Sequence, residues 1–336
     1  MVPEPSARAE LLRLINGFRA SMAISVASRL AIADHLRDGP RTVADLAVAT
    51  ETHEPSLYRL LRALAAIGVF EEQEGRRFAL TPLAEVLRTD VAESVAGWAS
   101  WISEESFWRG WGALMHTVRT GENAYEHIQG VDPWTFRREH PEVNDRFNAA
   151  MTSLSSGAID AVVAAYDFSR FACIVDVGGG QGALLSGVLR ANPGARGILF
   201  DQPHVVAAAP PVLEAAGVAD RCNVASGSFF DGVPDGGDAY MMRAITHDWP
   251  DDACVAILRN CRRVMTREAR LLIIDRVIAA PNEGAEGKFS DLNMMAVPGG
   301  RERTEEEFRA LLDAAGFRLD AIVPAGEAAI IDATPV

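Results

Sequence analysis

The stretch IVDVGGGQGALL, residues 174–185, sets four glycines (Gly178, Gly179, Gly180 and Gly182) between a β-branched apolar run and the start of a helix. Each glycine carries an entropic cost, and three in a row exceed what a plain strand-to-helix turn requires. The loop is therefore read as one that takes positive φ or lies close against a ligand. In an open α/β sheet such a loop sits at the carboxyl end of a strand, where ligands bind. The downstream pattern agrees. After Asp167 the short apolar runs ACIVDV, GILF, CNVAS, DAYMM, RLLIIDRV, FRLDAIV and AAIIDA alternate with helical stretches near 183–191, 204–216, 252–266 and 304–315. That alternation predicts an α/β fold with a parallel, doubly wound sheet. Only PAGE joins the last two strands, too few residues for a crossover helix, so the last strand is predicted to run antiparallel.

Upstream, apolar residues at helical spacing (Leu11, Leu12, Ile15, Phe18, then Ile24, Val26, Ala27, Leu30, Ile32) predict two amphipathic helices over residues 5–37. Thr42 is placed to N-cap the short helix VADLAVA. A turn at ETHEP, a second helix SLYRLLRALAAIG and a charged hairpin tip, EEQEGRR, between Val69-Phe70 and Phe78-Leu80 complete a winged helix-turn-helix pattern. A DNA reader needs a basic footprint to neutralise phosphates. Residues 1–90 instead hold 11 Arg against 12 Asp or Glu, a net of −1. The module is expected to pack against another copy of itself rather than to bind nucleic acid. Residues 91–166 read as helical and aromatic, with Trp98, Trp101, Phe107, Trp108, Trp111, Trp134, Phe136 and Phe147. Most of these rings are expected in the core, and some around a pocket for a flat apolar substrate.

A chain of 336 residues, 49% hydrophobic and 23% charged, has room for a large core and reads as two domains. Its net charge of −14 repels polyanions, which argues against nucleic acid and anionic membranes as partners. No apolar run approaches the roughly 20 residues that span a bilayer, and the start, MVPEPSARAELLRL, lacks the layout of a signal peptide. A cytoplasmic location is expected. Cys173, Cys222, Cys254 and Cys261 form no C-x-x-C pair and are read as reduced thiols in the core.

Two cofactor classes use a glycine loop of this kind. For a dinucleotide, Gly178 and Gly180 fit the fingerprint and alanine at 183 is tolerated. Asp201, ending the second strand in GILFDQP, can accept both hydroxyls of a ribose in either class. Asp176, two residues before the loop, discriminates: its carboxylate opposes a pyrophosphate but suits a cationic amino group, such as that of S-adenosylmethionine. Together with the antiparallel last strand it tilts the reading to a methyl donor. In AITHDWPDD, residues 244–252, His247 follows the fourth strand of this series and so lies at the same sheet edge as the loop. Methyl transfer to a phenol requires loss of a proton whose pKa is near 10, and an imidazole of ordinary pKa about 6.5 is a suitable general base. Asp275 and Glu302 can reach that edge. Asp248, Asp251 and Asp252 could supply oxygen ligands to a metal, but Asp251 and Asp252 follow Pro250 at an expected helix start, where carboxylates meet the helix dipole. No metal is expected.

As an ordered set, VDVGGGQG, LFDQPHVV, GSFFDGVP, DAYMMRAITHDWPDD, NCRRVM, DLNMM, GGRERTEEEF and AAGF resemble the S-adenosylmethionine-dependent O-methyltransferases of the plant caffeate type and of bacterial aromatic polyketide tailoring. The resemblance covers nearly the whole chain. It implies a Rossmann-like methyltransferase sheet preceded by an all-helical winged-helix dimerisation domain. The implied layout is a dimerisation domain at 1–95, a helical linker contributing to the substrate pocket at 96–166, and a cofactor-binding methyltransferase domain at 167–336. It implies a homodimer joined through the front domain, and methyl transfer to a small aromatic natural product. His247 is then the base, with Asp275 and Glu302 as its orienters. For the cofactor it implies Gly178 at the loop, Asp201 at the ribose, Ser228 and Phe229 beside the adenine, Arg243 near the methionine end and Trp249 packing on the adenine. Met151 and Met294 match methionines that clamp the acceptor, although such residues serve equally as core. This sequence departs from the family where Ser228 replaces an aspartate, Thr246 a leucine and Gln202 a leucine. Some relatives keep the cofactor and perform hydroxylation or decarboxylation of a polyketide instead, and retention of His247 with both acids argues against that reading.

Overall fold

The computed structural model describes residues 6–336, so the first five residues of the predicted front region lie outside the described residues. Contacts divide the chain into two units, Met1–Gly112 with Ile128–Ser156, and Ala113–His127 with Gly157–Val336.

The first unit is mostly helical. The region predicted as two helices forms three, Ala7–Ile15, Gly17–Arg29 and Ile32–His35. Asn16 caps the end of the first, and Ala31, at φ 49°, takes the left-handed conformation that no α-helix continues through. The helices Val43–Ala49 and Glu54–Ala66 follow, and Thr42 caps the former by accepting the Asp45 N–H at 3.1 Å. The unit is not all-helical. Strands β1 (Arg41–Thr42), β2 (Phe70–Gln73) and β3 (Arg77–Leu80) form an antiparallel sheet in the order β1-β3-β2, the wing that the charged hairpin foreshadows. Leu46, Leu61, Leu64 and Phe78 are fully buried beneath it. Farther along, Trp101 packs on Phe107 and Phe147, at ring separations of 5.8 and 5.4 Å, and the buried Arg137 stacks over Trp134 and Phe147. Trp101 and Phe107 are therefore core, while Trp134 and Phe147 are half-buried.

The second unit is a seven-stranded sheet built from β4 (Cys173–Val177), β5 (Arg196–Asp201), β6 (Cys222–Ser226), β7 (Ala239–Arg243), β8 (Arg270–Asp275), β9 (Phe317–Ala325) and β10 (Ala328–Pro335). Its order is β6-β5-β4-β7-β8-β10-β9, with parallel pairing from β6 to β8 and β10 antiparallel to both neighbours. The strands read as unbroken apolar runs because both faces are covered. Ile174, Leu199, Met241, Leu272 and Ile274 fill one layer, while Val175, Tyr240, Met242, Leu271 and Ile273 fill the other against the helices Asp251–Val264 and Glu305–Ala315. The stretch predicted as one helix near 204–216 forms two, Pro203–Val206 and Pro210–Ala215, because Pro210 and Pro211 interrupt it. Strand order reverses at β4, whose neighbours are β5 and β7, so the carboxyl ends of β4, β5, β7 and β8 bring the Gly178 loop, Asp201, the His247 turn and Asp275 to one edge.

Cys222, Cys254 and Cys261 are buried and Cys173 half-buried, all as free thiols. Among the described residues no helix is long and apolar enough to cross a membrane.

Candidate active site

The glycine loop turns back against the sheet, with the N–H groups of Gly178 and Gly179 donating to the Phe200 carbonyl at 2.8 and 3.2 Å. Gly178 has φ +72°, where a side chain is strained, and a Cβ there would lie 2.5 Å from Ile245 Cδ1, which would have to shift. Asp201 Oδ2 accepts the Gly180 N–H at 2.9 Å and Oδ1 accepts the Gln202 N–H at 2.6 Å, which fixes its carboxylate beside the loop. Burial raises its pKa, and these two N–H groups oppose the rise. Asp176 is 1% exposed and its Oδ2 has no hydrogen-bond partner. Burial first, then the neighbouring Asp201 carboxylate, pushes its pKa up to about 7, while the Arg243 guanidinium pulls it back. Arg243 is itself lowered by burial and supported by the charges of Asp275 and Asp176. An orphaned buried acceptor at the root of a glycine loop fits the ammonium group of S-adenosylmethionine.

Ser228 and Phe229 follow β6. The Ser228 hydroxyl accepts the Phe230 N–H at 3.3 Å. Asn260, on the helix Asp251–Val264, donates to the carbonyls of Phe229 and Phe230 at 2.8 Å each and so holds this turn. Trp249 meets Phe229 and Phe230 edge-on, with ring centroids 6.2 and 4.9 Å apart. Phe229 also borders the loop, 3.6 Å from where a Gly178 Cβ would stand. The site therefore places an aromatic wall next to the glycine turn, where a purine can stack.

His247 lies in a short 3₁₀ turn, Thr246–Asp248, between β7 and the helix Asp251–Val264. Its Nδ1 stands 3.1 Å from Glu302 Oε1, and the Glu302 side chain is fully buried. Ser290 Oγ donates to that same Oε1 at 2.7 Å, and Asp291 Oδ1 accepts the Glu302 N–H at 2.9 Å, so the helix Ala285–Ala296 holds the carboxylate from below. Nε2 lies 3.7 Å from Asp248 Oδ1, beyond hydrogen-bond reach. Burial alone would push the imidazole pKa down. The charges of Asp248, Asp275 and Glu302 outweigh burial and hold it up at about 10. Glu302 shows the reverse balance: burial raises its pKa, and hydrogen bonds from His247 and Ser290 bring it below the ordinary value.

Of the two acids expected to orient the ring, only Glu302 is brought to it by a hydrogen bond. Asp275, 3% exposed, accepts instead from the Thr246 hydroxyl, and its other oxygen has no partner. Thr246 stands where the family pattern has leucine, and its hydroxyl supplies the donor that competes for this carboxylate. Asp275 still acts on the imidazole as a nearby charge. Asp251 faces the Arg303 guanidinium at 2.7 Å, and Asp252 accepts the N–H of its neighbour Ala253 at the helix start. Met151, half-buried, belongs to the first unit, and Met294, 9% exposed, to the second. Ser290, Asn260 and Arg303 escape a reading of the sequence alone. Ser290 directly precedes the DLNMM segment, Asn260 opens NCRRVM and Arg303 lies in GGRERT, yet nothing local to those segments tells where the three side chains reach.

The family model described as the O-methyltransferase domain matches residues 111–318, and the O-methyltransferase dimerisation domain matches residues 12–90. The phenazine O-methyltransferase PhzM of Lysobacter antibioticus is 42% identical over 97% of this chain and 96% of its own length. The mitomycin biosynthesis 6-O-methyltransferase of Streptomyces lavendulae is 41% identical, over 96% of this chain and 94% of its own. The O-methyltransferase NcsB1 of neocarzinostatin biosynthesis, solved with S-adenosylmethionine and 2-hydroxy-5-methyl naphthoic acid, superposes with a TM-score of 0.81 at 34% identity, covering 94% of this chain and 96% of that one.

Proposed function

Because the chain belongs to the S-adenosylmethionine-dependent O-methyltransferase family and carries its dimerisation domain, we propose that it methylates a phenolic hydroxyl of a small aromatic natural product with His247 as the general base. The observation that carries this reading is the His247–Glu302 contact of 3.1 Å through Nδ1. It fixes the ring and leaves Nε2 as the nitrogen that takes a proton. The relatives named for phenazine and mitomycin chemistry support an aromatic acceptor.

S-adenosylmethionine, when bound, supplies an electrophilic methyl group on a sulfonium. Asp176 would receive its ammonium, Asp201 its ribose hydroxyls, and the wall of Phe229 and Trp249, with Ser228, its adenine. Arg243, which feels the charges of Asp275 and Asp176, would lie at the methionine end. Met294 would contact the acceptor ring. During transfer the acceptor oxygen bonds to the methyl carbon as the sulfur–carbon bond breaks, and the hydroxyl proton passes to His247 Nε2. Incubation with methyl-labelled cofactor and a panel of phenols tests the reading. Label should appear on an acceptor oxygen, whereas cofactor binding without transfer to any phenol would favour a redirected chemistry.

The three carboxylates whose charges hold the imidazole pKa up also make it a reluctant base, since a group with pKa about 10 keeps its proton at neutral pH. A second cation at the same edge disfavours the imidazolium and lowers that pKa, and the cofactor carries a sulfonium. The expected result is a separation of pH profiles. The limb for kcat/KM of the cofactor, which reports the free enzyme, should rise at higher pH than the limb for kcat, which reports the complex. Coincident limbs would contradict it. EDTA should leave the rate unchanged, because Asp251 is committed to Arg303 and Asp252 to its own helix. Activity restored by magnesium would contradict that.

The homodimer is proposed to form through the first unit. Leu11, Leu14, Ile15 and Phe18 are 58%, 59%, 59% and 50% exposed on its first two helices, an apolar stripe of the kind that marks an interface. Light scattering should give twice the chain mass. The double substitution Leu14→Glu and Phe18→Glu should give a monomer, and a dimer that survives it would move the interface elsewhere. The net charge of −1 over residues 1–90 leads us to expect no salt-dependent complex with DNA.

A further inference from the structure

We propose that Arg303 is the positioning residue for His247, holding the turn that carries the imidazole so that the ring meets Glu302. This rests on the reading of His247 as the base. Arg303 is 1% exposed, and a buried guanidinium is costly unless its donors are satisfied. Here the donors converge on one stretch of chain. Nη1 donates to the Thr246 carbonyl at 2.7 Å and Nη2 to the Trp249 carbonyl at 3.1 Å. Nε and Nη2 both reach Asp251 Oδ1, at 3.0 and 2.7 Å, and Nη2 lies 3.5 Å from Cys254 Sγ. The carbonyls gripped thus flank His247 on both sides.

Two neighbours of Arg303 close the remaining side of the turn. The Arg301 N–H donates to the His247 carbonyl at 2.9 Å. Gly300 packs so closely that a Cβ there would stand 2.0 Å from the same oxygen. The segment is fastened to the chain just past β8 by a bridge between Val277 and Arg303, with the Ile278 N–H donating to the Arg303 carbonyl at 2.9 Å. Since residues 300–303 also carry Glu302, the base and its carboxylate are registered to each other through backbone as well as through their own contact. A planar fork with five donors can span Thr246, Trp249 and Asp251 together, which a lysine ammonium cannot.

Arg303→Lys and Asp251→Asn test this. The readouts are cofactor affinity by calorimetry, kcat per cofactor-binding site, and the pH dependence of kcat. Arg303→Lys should lower kcat per site by about 10- to 100-fold, the scale of a misplacement near 1 Å, with little change in cofactor affinity. Its pH limb should move down, because an imidazolium less firmly held by Glu302 gives up its proton more readily. Asp251→Asn, at a carboxylate that is 57% exposed, should move both quantities in the same directions by less. It decides the matter alone if Arg303→Lys does not fold. Fewer binding sites with unchanged kcat per site and an unchanged pH limb would mean a merely structural role and overturn the proposal. A fully active Arg303→Lys beside an inactive His247→Ala would overturn this proposal only; a fully active His247→Ala would overturn the base reading.

Discussion

Replacing His247 by alanine is expected to lower kcat by about 10²- to 10⁴-fold, the usual contribution of a positioned general base, while leaving the affinity for S-adenosylmethionine nearly unchanged. The magnitude follows from the proton. Without an acceptor for it, the phenol attacks in its neutral form or as the small fraction ionised at neutral pH. The selectivity follows from placement. The groups proposed to face the cofactor, Asp176 near the end of β4 and Asp201 at the end of β5, lie beside the glycine loop, and neither hydrogen-bonds His247. Removing the imidazole also strips Glu302 of a partner while Ser290 remains on its Oε1, so some stability is lost with the ring. The comparison is therefore made per cofactor-binding site. Equal losses in kcat and in affinity would contradict the assignment.

The second large effect is expected at Asp201. Its replacement by alanine should weaken cofactor binding by about 10²- to 10⁴-fold, since hydrogen bonds to a charged group contribute roughly 1.5–3 kcal/mol each and a ribose offers two. The same substitution deprives the Gly180 and Gln202 N–H groups of their acceptor, which loosens the glycine loop and adds to the loss. Turnover at saturating cofactor should fall far less, because Asp201 touches neither His247 nor Glu302. Calorimetry separates the two, and an unchanged dissociation constant would detach the ribose from the end of β5.

These two residues also show how far the sequence could be read. Asp201 and the glycine loop are legible because their positions follow from strand ends, and the strands declare themselves as apolar runs buried on both faces. His247 is legible for the same reason, being a few residues past β7. Its surroundings are less so. The sequence places Asp275 and Glu302 at one edge, but which carboxylate the ring meets depends on a rotamer and on a competitor. Thr246 supplies that competitor by donating its own hydroxyl to Asp275. Arg303 lies beside Glu302 in GGRERT, yet its guanidinium travels away to the carbonyls of Thr246 and Trp249, a destination set by tertiary packing alone. Helix ends show a similar limit. Pro210 and Pro211 announce the break between Pro203–Val206 and Pro210–Ala215, whereas the break at Ala31 depends on a left-handed alanine that composition does not signal.

A crystal structure of the ternary complex with S-adenosylhomocysteine and a phenol that the enzyme methylates would show whether the His247 ring faces the acceptor. The acceptor oxygen is expected at about 2.6–3.2 Å from His247 Nε2, on the side facing the cofactor sulfur, with Nδ1 still on Glu302. An imidazole turned from the acceptor, or an Nε2 occupied by Asp248 in its place, would contradict it.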